Sequence, residues 1–492
     1  MVSHPECPGI DETGHRASAV QRQVGHTGGC QQRTGRERPA AIGIPAPGLE
    51  IRPQGDDVPA GLHGWLFVFH FRKVVSGGLK DGSGKLDDHP FTSLPVDSTA
   101  RGIRTHAIWW QKFWNHSSLR IPDSTLERQW YLEQYKFGST SRRGAPPITL
   151  QAIWTADNGR LPPWKGDFHN DLNTQLSYWP CYSANHLEEG LAFLDWLWLI
   201  KPVSERYTKT YFGTSGLNVA GVATLAGEPM GGWIQYSLSP TVSAWLAQHF
   251  YLHWRYSLDT SFLLTRAYPW TRAVAVHLDQ PAMRDSSGKR QLPLSSSPEI
   301  NDNRIDAWFR KTTNFDIALI RWLYGTAEEM ALALGKADEA RRWQHVRSEW
   351  PDLALSDSGK KLLVAPGIGL YESHRHFSHL MAVHPLGLLD WDKGEPDRQI
   401  ITASLADLER LGTDLWCGYS YSWLGNMWAR ARNGEKAANA LRIFATCFCL
   451  PNTFHVNGDQ SGIAVEFSPL SDHRGNIIPA DRLTCFNTEG RD

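Results

Sequence analysis

The placement of tryptophan constrains this chain more than any single motif does. Of 22 tryptophans in 492 residues, only Trp65 precedes residue 109 and none follows Trp428. Side chains of that size need a large apolar neighbourhood, so the folded body is expected between about 104 and 450. Residues 1–103 are rich in Gly, Pro, Arg and Gln, with WLFVFHF (65–71) as their one strand-like run, and read as an irregular or disordered segment. Residues 463–492 also lack a helical pattern and read as an irregular tail. The domain expected between them is 104–462.

That body alternates helical patterns with loops carrying Gly, Pro and aromatic residues. Helices are expected over 104–117, 124–138, 171–199, 239–256, 258–279, 314–333, 336–349, 376–389, 397–411, 418–432 and 434–449, with Pro180 interrupting the third. WLAQHFYLHW (245–254) and LIRWLYGTAEEMALAL (319–334) are apolar over much of their circumference, as helices buried by other helices are. So many helices with almost no β-rich segment predict an all-α fold of paired helices closed into an α/α toroid. A stacked solenoid is the alternative, but no sequence period of about 30 to 45 residues supports it.

Several function classes drop out on composition. A chain this long is no small binding module. A formal net charge of −1 lacks the footprint of a dedicated nucleic-acid binder. The longest apolar run, Leu191 to Ile200, is too short to span a membrane and carries an Asp, and the N-terminus shows no basic start or apolar core of a signal peptide. The compartment stays open. Seven cysteines (Cys7, Cys30, Cys181, Cys417, Cys447, Cys449, Cys485) form no paired pattern, so free thiols are expected, with Cys447 and Cys449 on different faces of one helix.

Four polar-aromatic clusters carry the chemistry. In PPWKGDFHNDLNTQLSYWP (162–180), Asp167, His169, Asp171 and Asn173 crowd between Trp164 and Tyr178-Trp179. Carboxylate, amide and imidazole groups beside aromatic faces suit a sugar, whose hydroxyls need hydrogen bonds and whose C–H surface needs a flat apolar partner. A capped helix start over a Trp-rich core is the plainer reading. SSSPEINDN (295–303) presents Glu299 on a loop, as a site or as a solvated residue. YESHRHFSHLMAVHP (371–385) holds His374, His376, His379 and His384, whose spacing does not reproduce H-E-x-x-H. No metal is expected there; the histidines read as donors to a polyhydroxylated ligand or as core residues. Finally, GEPMGGWIQYSLSPTVSAWLAQHFYLHW (227–254) and WCGYSYSWLGNMWAR (416–430) set small residues beside Trp, and Gly231-Gly232-Trp233 permits close backbone approach.

LQAIWTADNGRLPPWKGDFHNDLNTQLSYWP (150–180), SSSPE (295–299), HRHFSHL (374–380) and GYSYSWLGNMWARARNGE (418–435) together resemble glycoside hydrolase family 95, in order and over roughly 104–460. The resemblance implies an (α/α)6 barrel and cleavage of α-L-fucosyl or α-L-galactosyl termini with inversion, by a Glu acid and an Asp base that works with asparagines to hold the water. Carried onto this chain, the SPE motif implies Glu299 as acid. The family's N-x-N reads Asp171-Leu172-Asn173 here, so Asn173 matches and Asp171 adds a carboxylate near the water. The family's D-G-N base motif faces FHVNGDQSG (454–462), where Asp459 stands in for the base or is only a nearby loop residue. His169, Trp164, Trp233, His374 and His376 are the expected sugar contacts.

Inversion needs a protonated acid and an ionised base on opposite faces of the bond, so Glu299 is expected to have a raised pKa through desolvation. The implied partner is a carbohydrate, with no cofactor, metal, nucleic acid or membrane. A non-catalytic carbohydrate-binding relative lacking the base is the alternative. A helical scaffold for protein partners explains the Trp-rich helices but not the clustered Asp, Asn, His and Glu.

Overall fold

The computed structural model describes residues 96–150, 166–449 and 455. Long helices dominate: Val96–Trp114, Ser124–Thr140, Leu187–Phe212, Val242–Ser257, Tyr268–Asp279, Asn314–Ala333, Ala337–Glu349, Glu395–Leu411, Gly418–Arg430 and Gly434–Cys447. Among the described residues β structure amounts to two short antiparallel ribbons, Phe168–His169 with Val222–Ala223 and Met283–Arg284 with Arg290–Gln291. Residues 1–95 of the expected irregular segment 1–103, and the expected tail 463–492, lie outside the described residues.

Local chemistry starts and stops these helices where the sequence offers it. The Asp123 side chain accepts the backbone amides of Thr125 and Leu126, Thr313 accepts that of Asp316, and Asn433 that of Lys436. Helices adjacent in sequence pack as pairs, as in Asn314–Ala333 with Ala337–Glu349 and Gly418–Arg430 with Gly434–Cys447. In the latter pair Gly425 lets the backbones approach closely, since a Cβ there would stand 3.0 Å from Leu441 Cδ2. Gly434–Cys447 then packs on Ser124–Thr140, returning the last long helix to an early one, and Arg442 pairs with Asp123 across that seam. This closure makes the fold the all-α toroid of (α/α)6 type. Trp245, Trp270, Trp343 and Trp350 are fully buried, so tryptophan placement did mark the core.

The departures have physical reasons. The first helix begins at Val96 rather than at 104. The expected helix 171–199 breaks after Tyr178 and again around Asn185, a non-glycine residue at φ 57°, and then runs unbroken from Leu187 to Phe212. The expected helix 376–389 does not form. Those residues make one short 3-10 turn, Ser378–Leu380, and tight turns leading into Pro385, which has no amide to donate to a helix ladder. Cys181, Cys417 and Cys449 keep their thiols outside any disulfide, as expected, whereas Cys447 is disulfide-bonded.

Candidate active site

Three loops at helix starts bring the chemistry together. The first is the turn 167–173. His169 is paired opposite Val222 in a two-residue ribbon, Asn170 donates from its amide to Gly221 O (2.7 Å) and from Nδ2 to Ala220 O (3.0 Å), and Thr174 Oγ1 closes back on His169 O at 2.7 Å. With the backbone so held, Asp171 is buried just before the helix Asn173–Tyr178, and one of its oxygens, Oδ1, has no hydrogen-bond partner. His169 Nε2 lies 3.1 Å from Asp167 Oδ2. Asn173 stands half-buried at the first helical position.

The second loop carries Glu299. Glu299, Asn301 and Asp302 all adopt left-handed backbone, at φ 60°, 65° and 52°. Three non-glycine residues in that region within four positions is a strained arrangement that its surroundings must enforce. The enforcement is visible. His376 N donates to His374 Nδ1 (3.1 Å), leaving His374 Nε2 to donate to Glu299 O (3.2 Å). Ser297 and Ser378 hydroxyls meet at 2.6 Å, and Tyr371 donates to Asn301 Oδ1 at 3.1 Å. Upstream, Ser295 Oγ and Thr241 Oγ1 both donate to Asp316, a fully buried carboxylate at the start of Asn314–Ala333. Burial pushes the Asp316 carboxyl up to about 6, against the hydrogen bonds from Ser295, Thr241 and the Ser296 backbone. Nothing in the sequence singled out Asp316, because its partners come from segments distant in the chain.

The third loop supplies cations to Glu299. Arg375 grips the carboxylate as a fork, with Nη2 2.6 Å from Oε1 and Nε on Oε2, and His376 Nε2 stands 3.3 Å from Oε2. His376 is buried with its ring edge-to-face on Tyr419, centroids 5.4 Å apart. Burial of Glu299 pushes its pKa up, but His376 and Arg375 outweigh it and hold the carboxylate far below its usual range. This overturns the expectation of a raised value at Glu299. Asp171 moves the other way: burial raises it, the charges of His169 and His376 oppose, and Glu299 adds to the rise. The two carboxylates therefore feel each other's charge and share His376, while their affinities for a proton diverge.

Other expected residues separate. His374 spends both ring nitrogens on backbone groups and buttresses Glu299. His379 and His384 are buried, and His384 Nδ1 accepts from Arg430 Nε at 3.1 Å, so half of the histidine cluster belongs to the core. Trp233 is half-buried, following Gly231 and Gly232 at φ 77° and 96°. Its loop runs along the ribbon opposite His169, with Met230 N on Val222 O at 3.0 Å. Trp164 and Asp459 lie outside the described residues. Arg375 is the member that sequence reasoning passes over, because its fork depends on a contact across 76 positions.

Residues 111–463 match the glycosyl hydrolase family 95 catalytic domain. Alpha-L-fucosidase 2 of Arabidopsis thaliana is 26% identical over 351 residues, which cover 69% of this chain and 40% of that protein. "Probable alpha-fucosidase A" of Aspergillus niger is 28% identical over 152 residues, 29% of this chain and 18% of that protein. The chain thus spans well under half the length of either relative. A solved structure described as "Putative kojibiose phosphorylase from human microbiome" shares the fold at TM-score 0.51 and 9% identity, covering 77% of this chain and 61% of that one.

Proposed function

The chain belongs to glycosyl hydrolase family 95, and from that membership we propose that it releases terminal α-L-fucose or α-L-galactose from oligo- or polysaccharides with inversion. The observation that carries the proposal is the pairing of Glu299 and Asp171, two carboxylates under one another's charge with opposite protonation tendencies, among His169, His376 and Asn173. Divergent carboxylates are what an acid–base pair needs, although in the free chain the directions oppose the roles, with Asp171 held toward its protonated form and Glu299 toward its ionised one.

In this reading Glu299 protonates the leaving oxygen, and Asp171 takes a proton from the attacking water while Asn173 orients it. A buried, raised carboxylate is the stronger base once ionised, so the environment of Asp171 suits that task. Glu299 can carry a proton only when the Arg375 fork opens. Arg375 is 46% exposed, leaving it room to swing away as a sugar enters. His169 and His376 then meet sugar hydroxyls, with Trp233 offering an apolar face. Asp459 remains a second candidate for the base.

Proton NMR of the purified chain with simple α-L-fucosides and α-L-galactosides tests the reaction directly. The β-anomer of the free sugar is expected first, and first appearance of the α-anomer sinks inversion. The Arg375 fork also favours a second reading, a sugar-binding relative whose acid stays ionised. Calorimetric binding of L-fucose by a folded chain that releases no sugar would select it.

A further inference from the structure

A second cluster lies away from these carboxylates, where the turn after the first long helix meets the start of Leu187–Phe212. His116 follows that first helix, His186 is the residue before Leu187, and Glu189 lies in the first turn, three positions on. His186 is 1% exposed and Glu189 8%, while His116 is half-buried. The donor atoms of the three residues all lie within 4.8 Å of one another. His116 Nδ1, His186 Nδ1 and Glu189 Oε2 are each buried without a hydrogen-bond partner.

A buried polar atom left unpaired gives up its hydration for nothing in return, which is why such atoms ordinarily find partners. Three that converge from separate places need a common explanation. Direct hydrogen bonding does not supply one: His186 Nδ1 and Glu189 Oε2 are 3.8 Å apart, beyond bonding range. The separation does approach the ligand–ligand spacing of a tetrahedral zinc site, about 3.4 Å for bonds near 2.1 Å. The ring of His186 lies flat on Phe113, centroids 3.7 Å apart at 4°, which holds its edge toward the cluster. Arg142, packed over Trp109, acts electrostatically on Glu189 and is the competing cation.

We propose that His116, His186 and Glu189 form a structural site for a divalent transition metal of the zinc class. Two imidazole nitrogens and one carboxylate oxygen are a zinc donor set, and the half-buried His116 leaves a side open for a fourth ligand such as water. The metal would tie the first long helix to the start of Leu187–Phe212. None of the three residues belongs to the sugar machinery, so the proposal stands apart from the proposed activity.

The test strips the full chain with a chelator, adds Zn2+, removes the excess by desalting and counts metal by mass spectrometry. One equivalent is expected in the native chain, with a thermal midpoint raised by Zn2+. Glu189→Gln and His116→Gln should each lose that equivalent and that rise. Co2+ as probe should give the intense visible absorption of a tetrahedral centre, with affinity falling at least ~100-fold in either variant. The proposal is overturned if the native chain keeps no zinc, or if folded variants, checked by circular dichroism, keep as much as it does. Zinc held by free thiols elsewhere would appear as that second result.

Discussion

Glu299 and Asp171 are the same chemistry placed in two kinds of confinement. Both are largely withdrawn from water, at 17% and 6% exposure. Around Glu299 every carboxylate oxygen meets a cationic donor, so burial is overcome and the charge is locked in. Around Asp171 the cations act from further away, one oxygen meets nothing, and burial prevails. Burial alone therefore does not set the direction of a carboxylate pKa. The count and reach of the partners does. The backbones differ in the same sense: the Glu299 loop is strained and heavily braced, while the Asp171 turn rests on a short ribbon and a helix start.

The sharpest way to break this comparison is Glu299→Gln, expected to lower kcat by about 10³-fold or more by removing the proton donor, while binding of L-fucose is kept. Full activity in that variant would remove Glu299 from the mechanism. Asp171→Asn comes next, with a loss of about 10²-fold. It should also stabilise the protein. The folded pKa of Asp171 is raised, so its contribution is fully present below the ordinary carboxylate range and is lost as pH rises through the folded value. The amide cannot ionise, so the variant should be the more stable chain at pH 7 and the two should converge near pH 3. A variant less stable at pH 7 would mean that the charge on Asp171 is wanted. Arg375→Met should have a smaller effect, confined to protonation. The acid limb of kcat/KM, which reports the lower pKa of the pair in the free protein and hence Glu299, should move up by about one pH unit as Glu299 loses its fork, and the limb of kcat should move less. Equal shifts would say that the fork stays closed in the complex.

Much of the fold was legible because its signals are local and repeated. Apolar periodicity found the long helices, most of which lie between Trp109 and Trp428. The stretch 376–389 failed because a periodic pattern with three histidines reads like a helix face, while it is contacts to Glu299 and Arg430 that set its path. At the site, the short motifs around Asp171, Glu299 and His376 brought forward residues whose charges meet in the fold. The direction of the Glu299 pKa could not be read, since it depends on how Arg375 reaches across space. The His116, His186 and Glu189 cluster was invisible for the same reason: its first member stands far from the other two in the chain.

The smallest expected effect concerns Asp316, which shares Asp171's burial but has Glu299's full set of hydrogen bonds. Its partners Ser295 and Thr241 are neutral, so they soften the penalty of burial without reversing it, and the carboxyl settles at about 6. A folded value above the ordinary 3.8 means that the folded chain keeps a proton which the unfolded chain has lost between roughly pH 4 and 6. Stability from this group is full below pH 4 and is lost as pH rises through 6, a drop of about 3 kcal/mol at most over two pH units. Asp316→Asn mimics the protonated acid, one donor face and one acceptor face toward hydroxyls that can rotate to match. Denaturant unfolding of both chains from pH 4 to 7 isolates the group, because every other titration is common to the two. The difference should open in favour of the amide as pH rises and level off above 6. A flat difference would mean that Asp316 is ionised throughout and that the loop carrying Glu299 rests on a buried charge.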